Sequence, residues 1–209
     1  MKDNSERVPN KNFKLLNNRP LYRWILDSLL KVERIDKIII NTDAVKKFQT
    51  LKNNPKIIVK KRQKKICGDF VSMNEIIKDD LDDFGADIFI MTHSTNPFLS
   101  SDTINICIDK FLESNNDSLF TVNKFQTRFY DRRAKPINHS ADKLLRTQDL
   151  EPYYEENSCL YIFTSDSFAK TNNRIGENPQ MYEMKKKEVL DIDDKEDWAL
   201  AEIFAKEEK

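Results

Sequence analysis

The chain has 209 residues, enough to bury one sizeable core and too few to require two independent domains. Its 35 Lys and Arg are matched by 35 Asp and Glu, so no global field draws it to nucleic acid, and an anionic ligand must be held by a local cluster. Cys67, Cys107 and Cys159 are odd in number, widely spaced and form no CxxC pair, so neither a disulfide framework nor a zinc site is indicated and a reducing cytoplasm fits best; no apolar run approaches the roughly 20 residues of a membrane span, and the polar start MKDNSERVPNKN is unlike a signal peptide.

In chain order, Pro20 to Lys31 places Leu21, Trp24, Ile25 and Leu29 at helical spacing, with the proline suited to a first turn. The β-branched run from Ile35 to Ile40 predicts a buried strand, followed by Asn41-Thr42-Asp43 as a cap for a helix. Lys56 to Lys60 is extended. Met73 to Phe84 carries Ile76, Ile77, Leu81 and Phe84 on one helical face, and Asp87 to Met91 comes next as a strand. A further pair is expected from the helix Asp102–Glu113, with Ile104, Cys107, Ile108 and Phe111 inward, and the strand Ser118–Val122. Such alternation predicts an α/β fold, a Rossmann-like, mainly parallel sheet flanked by helices. From Lys124 to Asn157 the periodicity gives way to a polar, aromatic-dotted stretch that reads as an inserted arm within a single domain spanning 1–209. Regularity returns at Cys159–Phe163, at Met184–Ile192, and in a final helix from about Lys195 to Ala205.

Asp191-Ile192-Asp193 is the sharpest local feature. Alternate residues of a strand share a face, so both carboxylates can reach one Mg²⁺ while Ile192 points to the core. The competing role is a cap for the last helix by Asp193 or Asp194, with Asp197 supporting the helix dipole. Phosphate partners are offered by the opening segment, where Lys2, Arg7 and Lys11 alternate with Asn4, Ser5 and Asn12 around Pro9 without the glycines of a P-loop.

The string Lys2 to Asn12 resembles the nucleotide-binding loop of the acylneuraminate cytidylyltransferases, approximately A-R-x-x-S-K-x-x-P-x-K-N. The resemblance continues in order through Arg19-Pro20-Leu21, Ile39-Ile40-Asn41-Thr42-Asp43, Arg62 to Cys67-Gly68-Asp69, His93-Ser94-Thr95-Asn96-Pro97-Phe98 and Asp191-Ile192-Asp193. It covers nearly the whole chain and implies a fold of the nucleotide-diphospho-sugar transferase type. The implied reaction transfers CMP from CTP to the anomeric hydroxyl of a nonulosonic, sialic-type acid and releases pyrophosphate. By this likeness Lys2, Lys11 and Asp193 serve catalysis; Lys2, Asn4, Ser5, Lys11, Asn12 and Arg62 hold the nucleotide; and Asp191 and Asp193 hold Mg²⁺. His93, Arg146, Gln148 and Asn157 are the expected donors to the sugar acid, and the 124–157 insert resembles a dimerisation arm, implying a homodimer.

The chain also departs from that pattern. Lys2 stands where the family has Arg, Gln63 replaces a proline and Leu99 replaces a terminal Arg. It also begins inside the nucleotide loop, so the apolar first central strand of the family is expected to be missing. Two alternatives therefore accompany the main expectation: a nucleotidyltransferase for another sugar such as a Kdo-type acid, and a non-catalytic sugar- or nucleotide-binding homologue.

Overall fold

A computed structural model describes residues 1–3, 5–68 and 70–207. After a basic loop and a short helical turn at Lys11–Phe13 come a small hairpin, β1 (Leu15–Leu16) and β2 (Arg19–Pro20), and the helix α1 (Leu21–Lys31). Next in order are β3 (Ile38–Thr42), β4 (Ile57–Lys61), α2 (Met73–Asp83), β5 (Ile88–Thr92), α3 (Ser101–Leu112) and β6 (Ser118–Phe125). The chain closes with β7 (Tyr153–Thr164), α4 (Ser165–Thr171), β8 (Pro179–Glu183) and α5 (Lys195–Glu207). Helix starts are fixed by hydroxyl caps: Ser72 accepts from Asn74 N, Ser100 from Thr103 N and Thr164 from Ser167 N, satisfying amides that have no partner inside the helix.

The expected alternation of strands and helices holds, and the architecture is mixed α/β. β3 and β4 pair in parallel. A second ladder has the order β5-β7-β6-β8, in which β6 and β8 are parallel and β7 opposes both β5 and β6. β5, β6 and β8 thus share one direction, with β7 the reversed strand among them.

Two local expectations change. After β3, Thr42 Oγ1 accepts from Ala44 N at 3.0 Å, but the chain then enters a 3-10 segment, Val45–Leu51, rather than an α-helix. The regularity expected at Met184–Ile192, with Asp191-Ile192-Asp193 read as strand, is not a ladder strand: the nearest strand is the earlier β8, and 184–192 runs as turns and irregular chain. Its apolar side chains are used in packing rather than in a ladder: Met184 and Val189 join one core cluster, Leu190 and Ile192 another. The Ile192 amide donates to the Thr95 carbonyl at 2.9 Å, outside any strand pairing.

That second cluster governs the site. Val8, Leu16, Leu21, Trp24, Phe98, Ile192 and Trp198 are buried together, joining the opening loop, α1, the segment after β5, the Asp-Ile-Asp segment and α5. The segment between β6 and β7 is largely exposed; it contains an isolated bridge, Tyr130 with Pro136, and a short turn, Thr147–Asp149, above a ladder of Asn123–Glu155, Lys124–Tyr154 and Phe125–Tyr153. Among the described residues no helix is long and apolar enough to cross a membrane.

Candidate functional site

The basic loop is held by one apolar anchor and one turn. Val8 is buried in the same cluster as Ile192, and Asn10 takes a left-handed conformation (φ 54°), a region that asparagine tolerates, before the chain enters the Lys11–Phe13 turn. This sends Lys11 inward. Its Nζ donates to the Ile192 carbonyl at 2.6 Å and lies 3.6 Å from Asp193 Oδ1, while Arg7 Nη2 reaches the same carboxylate oxygen at 2.7 Å. Lys11 is buried, whereas the Arg7 side chain is 61% exposed, so one cation is enclosed by the fold and the other pairs with Asp193 at the surface. Asn12 is also buried; its amide donates to the Lys2 carbonyl at 2.8 Å and its Oδ1 accepts from Ser94 Oγ at 2.7 Å, tying the loop to the segment after β5.

The paired carboxylates keep the alternation expected from the sequence even though their segment is in no ladder: Ile192 is fully buried and its neighbours are partly exposed. The capping role falls on Asp194. Its Oδ1 accepts from Glu196 N at 2.8 Å and Asp197 N at 3.0 Å, and Asp197 Oδ2 accepts in turn from the amides of Asp193 and Asp194. The carboxylates of Asp191 and Asp193 are left for other work. Asp191 Oδ1 is buried without a hydrogen-bond partner among the described residues. Burial pushes the Asp191 carboxyl above the ordinary range, the nearby Asp193 charge adds to this, and Thr95 and Lys11 oppose it. A buried, unpartnered carboxylate oxygen beside a second carboxylate suits a hard divalent cation. Mg²⁺ takes only one or two carboxylates with phosphate and water completing its shell, so the pair suffices although no cluster of three metal-binding side chains occurs among the described residues.

A second group lies at the carboxyl end of β3. Arg62 is buried, donating from Nε to Asn41 Oδ1 at 2.8 Å and from Nη2 to the Asn41 carbonyl at 3.0 Å; Asn41 donates onward to Asp80 Oδ1 at 2.7 Å. The amine of Met1 donates to the same Asn41 carbonyl. His93, at the carboxyl end of β5, is half-buried by surface yet ringed by protein. Its pKa falls to about 4 because burial disfavours the charged ring and Arg174 and the Met1 amine repel it further, so the imidazole is neutral at physiological pH.

The remaining expected donors are dispersed. Arg146 is exposed and bound by a two-point ion pair to Asp149 (2.7 and 2.9 Å), and exposed Gln148 accepts from Gln126 through its carbonyl at 2.8 Å. Asn157 is buried in a network with Thr121 and Asn123 at the irregular part of the β6–β7 ladder, and it shapes the strand there. Lys2 and Ser5 are partly buried, and Asn4 lies outside the described residues. The sequence alone did not single out Arg174, which stacks over the Tyr161 ring at 3.8 Å, pairs with Glu156 at 3.0 Å and whose charge disfavours protonation of His93. It lies after α4 in a polar loop with no periodicity to mark it.

A mixed α/β domain that sets a cation-bearing loop against paired carboxylates at one end of its strands has the parts of a phosphate-handling transferase. The family model described as cytidylyltransferase matches residues 1–209, and the chain belongs to that family. It is 23% identical over 203 residues to the N-acylneuraminate cytidylyltransferase of Streptococcus agalactiae serotype V, covering 93% of this chain and 49% of that protein. The chain therefore spans about half the length of the streptococcal relatives it matches. It is 22% identical over 214 residues to the pseudaminic acid cytidylyltransferase of Campylobacter jejuni, covering 97% and 92% of the two. Among solved structures, a CMP:2-keto-3-deoxy-manno-octonic acid synthetase complexed with CTP superposes with a TM-score of 0.72 at 12% identity over 100% of this chain and 97% of that one. The 4-diphosphocytidyl-2C-methyl-D-erythritol synthase of Anaerococcus prevotii gives 0.68 at 12% identity, over 98% and 95%. These likenesses establish a shared fold.

Proposed function

We propose that the protein transfers CMP from CTP to the anomeric hydroxyl of a nonulosonic acid. The sugar oxygen attacks the α-phosphorus, the bond from that phosphorus to the bridging oxygen breaks, and pyrophosphate leaves with the electron pair. The observation that supports this most is the mutual neutralisation of Arg7, Lys11 and Asp193. These are the two cations and one carboxylate that a triphosphate and its metal would separate. On that exchange, exposed Arg7 and buried Lys11 turn to phosphate oxygens, with Lys2 and Ser5 beside them, and Asp193 and Asp191 are released to hold Mg²⁺. Bound there, Mg²⁺ would supply Lewis-acid neutralisation of phosphate charge and acidify the attacking hydroxyl. Asn12 and the rigid Arg62–Asn41 pair fix the nucleotide side, and neutral His93 offers a hydrogen bond to the sugar acid without a charge of its own. Arg146 and Gln148 on the insert, with Asn157 at its base, are the further candidates for that end.

The test is magnesium-dependent pyrophosphate release from CTP with a panel of sialic, legionaminic, pseudaminic and Kdo-type acids. Release with a nonulosonic acid is expected. Turnover confined to a Kdo-type acid would move the protein to the neighbouring specificity, and CTP binding with no release for any acid would leave a non-catalytic homologue.

The insert is proposed as a dimerisation arm. Phe125, Tyr130, Leu144, Tyr153 and Tyr154 are exposed along it, with Leu144 at 86%, an apolar load that a second copy would cover. Light scattering at micromolar concentration is expected to give twice the 24.7 kDa chain mass; a monomer would overturn this. The reaction's need for CTP and the three free cysteines together favour a cytoplasmic setting.

A further inference from the structure

The polar loop between α4 and β8 is tied down along its length. Asn172 leaves α4 in a left-handed conformation (φ 50°), Gly176 N donates to Ser118 Oγ at 2.8 Å, and Glu177 N and Asn178 N donate to the two Asp117 carboxylate oxygens at 2.8 and 3.1 Å. Asp117 N returns a bond to the Asn178 carbonyl at 3.2 Å. The approach is so close that a Cβ on residue 176 would come within 2.3 Å of Asp117 Oδ1, so glycine alone fits without moving the clamp. What the clamp presents is Arg174. Its guanidinium lies 3.8 Å over the Tyr161 ring, Nη1 is 3.7 Å from Met91 Sδ of β5, and Nη2 pairs with Glu156 Oε1 at 3.0 Å. Tyr161 Oη donates to the same Glu156 oxygen. The Arg174 side chain is 18% exposed and that of Glu156 41%, so the cation is enclosed while its counter-ion reaches solvent. A guanidinium carries five N–H donors in a planar fork matched to a carboxylate. Among the described residues its acceptors are one carboxylate oxygen and one thioether, and none of its nitrogens is both buried and unpartnered, so the rest of the fork opens to solvent.

We propose that Arg174 receives the carboxylate of the acceptor, with Glu156 as the resident carboxylate that holds its place, an assignment that rests on the acceptor being the sugar acid proposed above. Such an acid bears its carboxylate on the anomeric carbon, the carbon whose hydroxyl attacks, so the group that reads it must stand close to the acid pair and the nucleotide loop. The contacts of Arg174 meet that requirement. Met91 lies two residues before His93 at the carboxyl end of β5, where open α/β sheets bind their ligands. Ser94 then bonds Asn12 of the loop at 2.7 Å, and the Thr95 carbonyl accepts from Ile192 N, between the two carboxylates, at 2.9 Å. From His93 to Thr95 is at most roughly 7 Å of chain. Neutral His93 supplies no charge for an anion and exposed Arg146 is spent on Asp149, which leaves Arg174 as the enclosed cation on this side. An incoming carboxylate takes the fork in two-point fashion and Glu156 turns to solvent, whereas a neutral sugar gains nothing over the pair already formed.

The test is equilibrium binding of sialic, legionaminic, pseudaminic and Kdo-type acids, each beside its carboxamide, to the full chain with CTP present and magnesium withheld so that nothing turns over. The wild type is expected to bind at least one acid at least about tenfold more tightly than its amide, and Arg174→Gln to bring that ratio below about threefold. Arg174→Lys, which keeps a cation over the Tyr161 ring and so guards against a folding defect, should give an intermediate ratio. Glu156→Gln should tighten acid binding about threefold or more and leave the amide unchanged, because the fork is no longer neutralised; a merely structural ion pair would not do this. CTP affinity should stay within about twofold in all three variants. Absence of discrimination in the wild type, discrimination that survives Arg174→Gln, or weaker acid binding in Glu156→Gln overturns the assignment, and a selective loss of CTP affinity overturns it by giving the fork to a nucleotide phosphate. Failure of the catalytic reading is seen separately: acid discrimination that depends on Arg174 without pyrophosphate release once magnesium is restored removes catalysis and leaves the receptor, whereas release with full discrimination in Arg174→Gln does the reverse.

Discussion

Asp193→Ala is expected to lower magnesium-dependent pyrophosphate release by at least about a thousandfold while the protein stays folded. The carboxylate meets both cations of the loop, Arg7 at 2.7 Å and Lys11 at 3.6 Å, and its partner Asp191 cannot hold a metal and balance two cations alone. The cost in stability should be small. Asp193 is about half exposed, Lys11 keeps its 2.6 Å bond to the Ile192 carbonyl, and the α5 cap belongs to Asp194. Steady-state assay beside a thermal melt checks both halves, and an Asp193→Ala variant with wild-type turnover would remove the metal assignment.

Asp191→Asn should separate function from stability in the opposite sense. Activity is expected to fall about a hundredfold or more, because an amide presents one neutral oxygen where the ion needs a charged one. The thermal midpoint should nevertheless rise. The Asp191 carboxyl has a folded-state pKa raised chiefly by burial, so the unfolded chain ionises it more readily, and the native state is penalised as pH climbs through the unfolded value of about 3.9 and past the folded one. The gain from the neutral amide is therefore expected to be larger at pH 7 than at pH 4. Melts at the two pH values test the sign; a variant less stable than wild type at pH 7 would show that the buried carboxylate serves the fold.

Helices α1, α2, α3 and α5 lie within a residue or two of where apolar spacing placed them, because each buries one continuous stripe and its start is set by a proline or hydrogen-bonding cap residue nearby. The regularity read at Met184–Ile192 shows the limit of that logic. Its apolar residues do become buried, but against two different clusters, and a hydrophobic pattern records burial without recording a ladder partner. Asp191 and Asp193 were legible for a sturdier reason: their alternation about a core isoleucine persists in irregular chain as long as Ile192 is anchored. Arg174 was not legible, since nothing local distinguishes it from other polar-loop residues until folding brings it beside His93, Glu156 and Tyr161.

The sequence by itself determined the α/β alternation, the basic loop, the acid pair and the kinship, all of which are properties of residue type and order. Tertiary structure decided three matters that order cannot encode. Burial of Val8 and Ile192 in one cluster brings a loop and an acid pair, some 180 positions apart, into ionic contact; helix capping falls to Asp194 and frees its neighbours; and the strands sort into two separate ladders, β3–β4 and β5-β7-β6-β8. Each depends on which surfaces meet in space, and hydrogen-bond partners and charges become fixed only when those surfaces close.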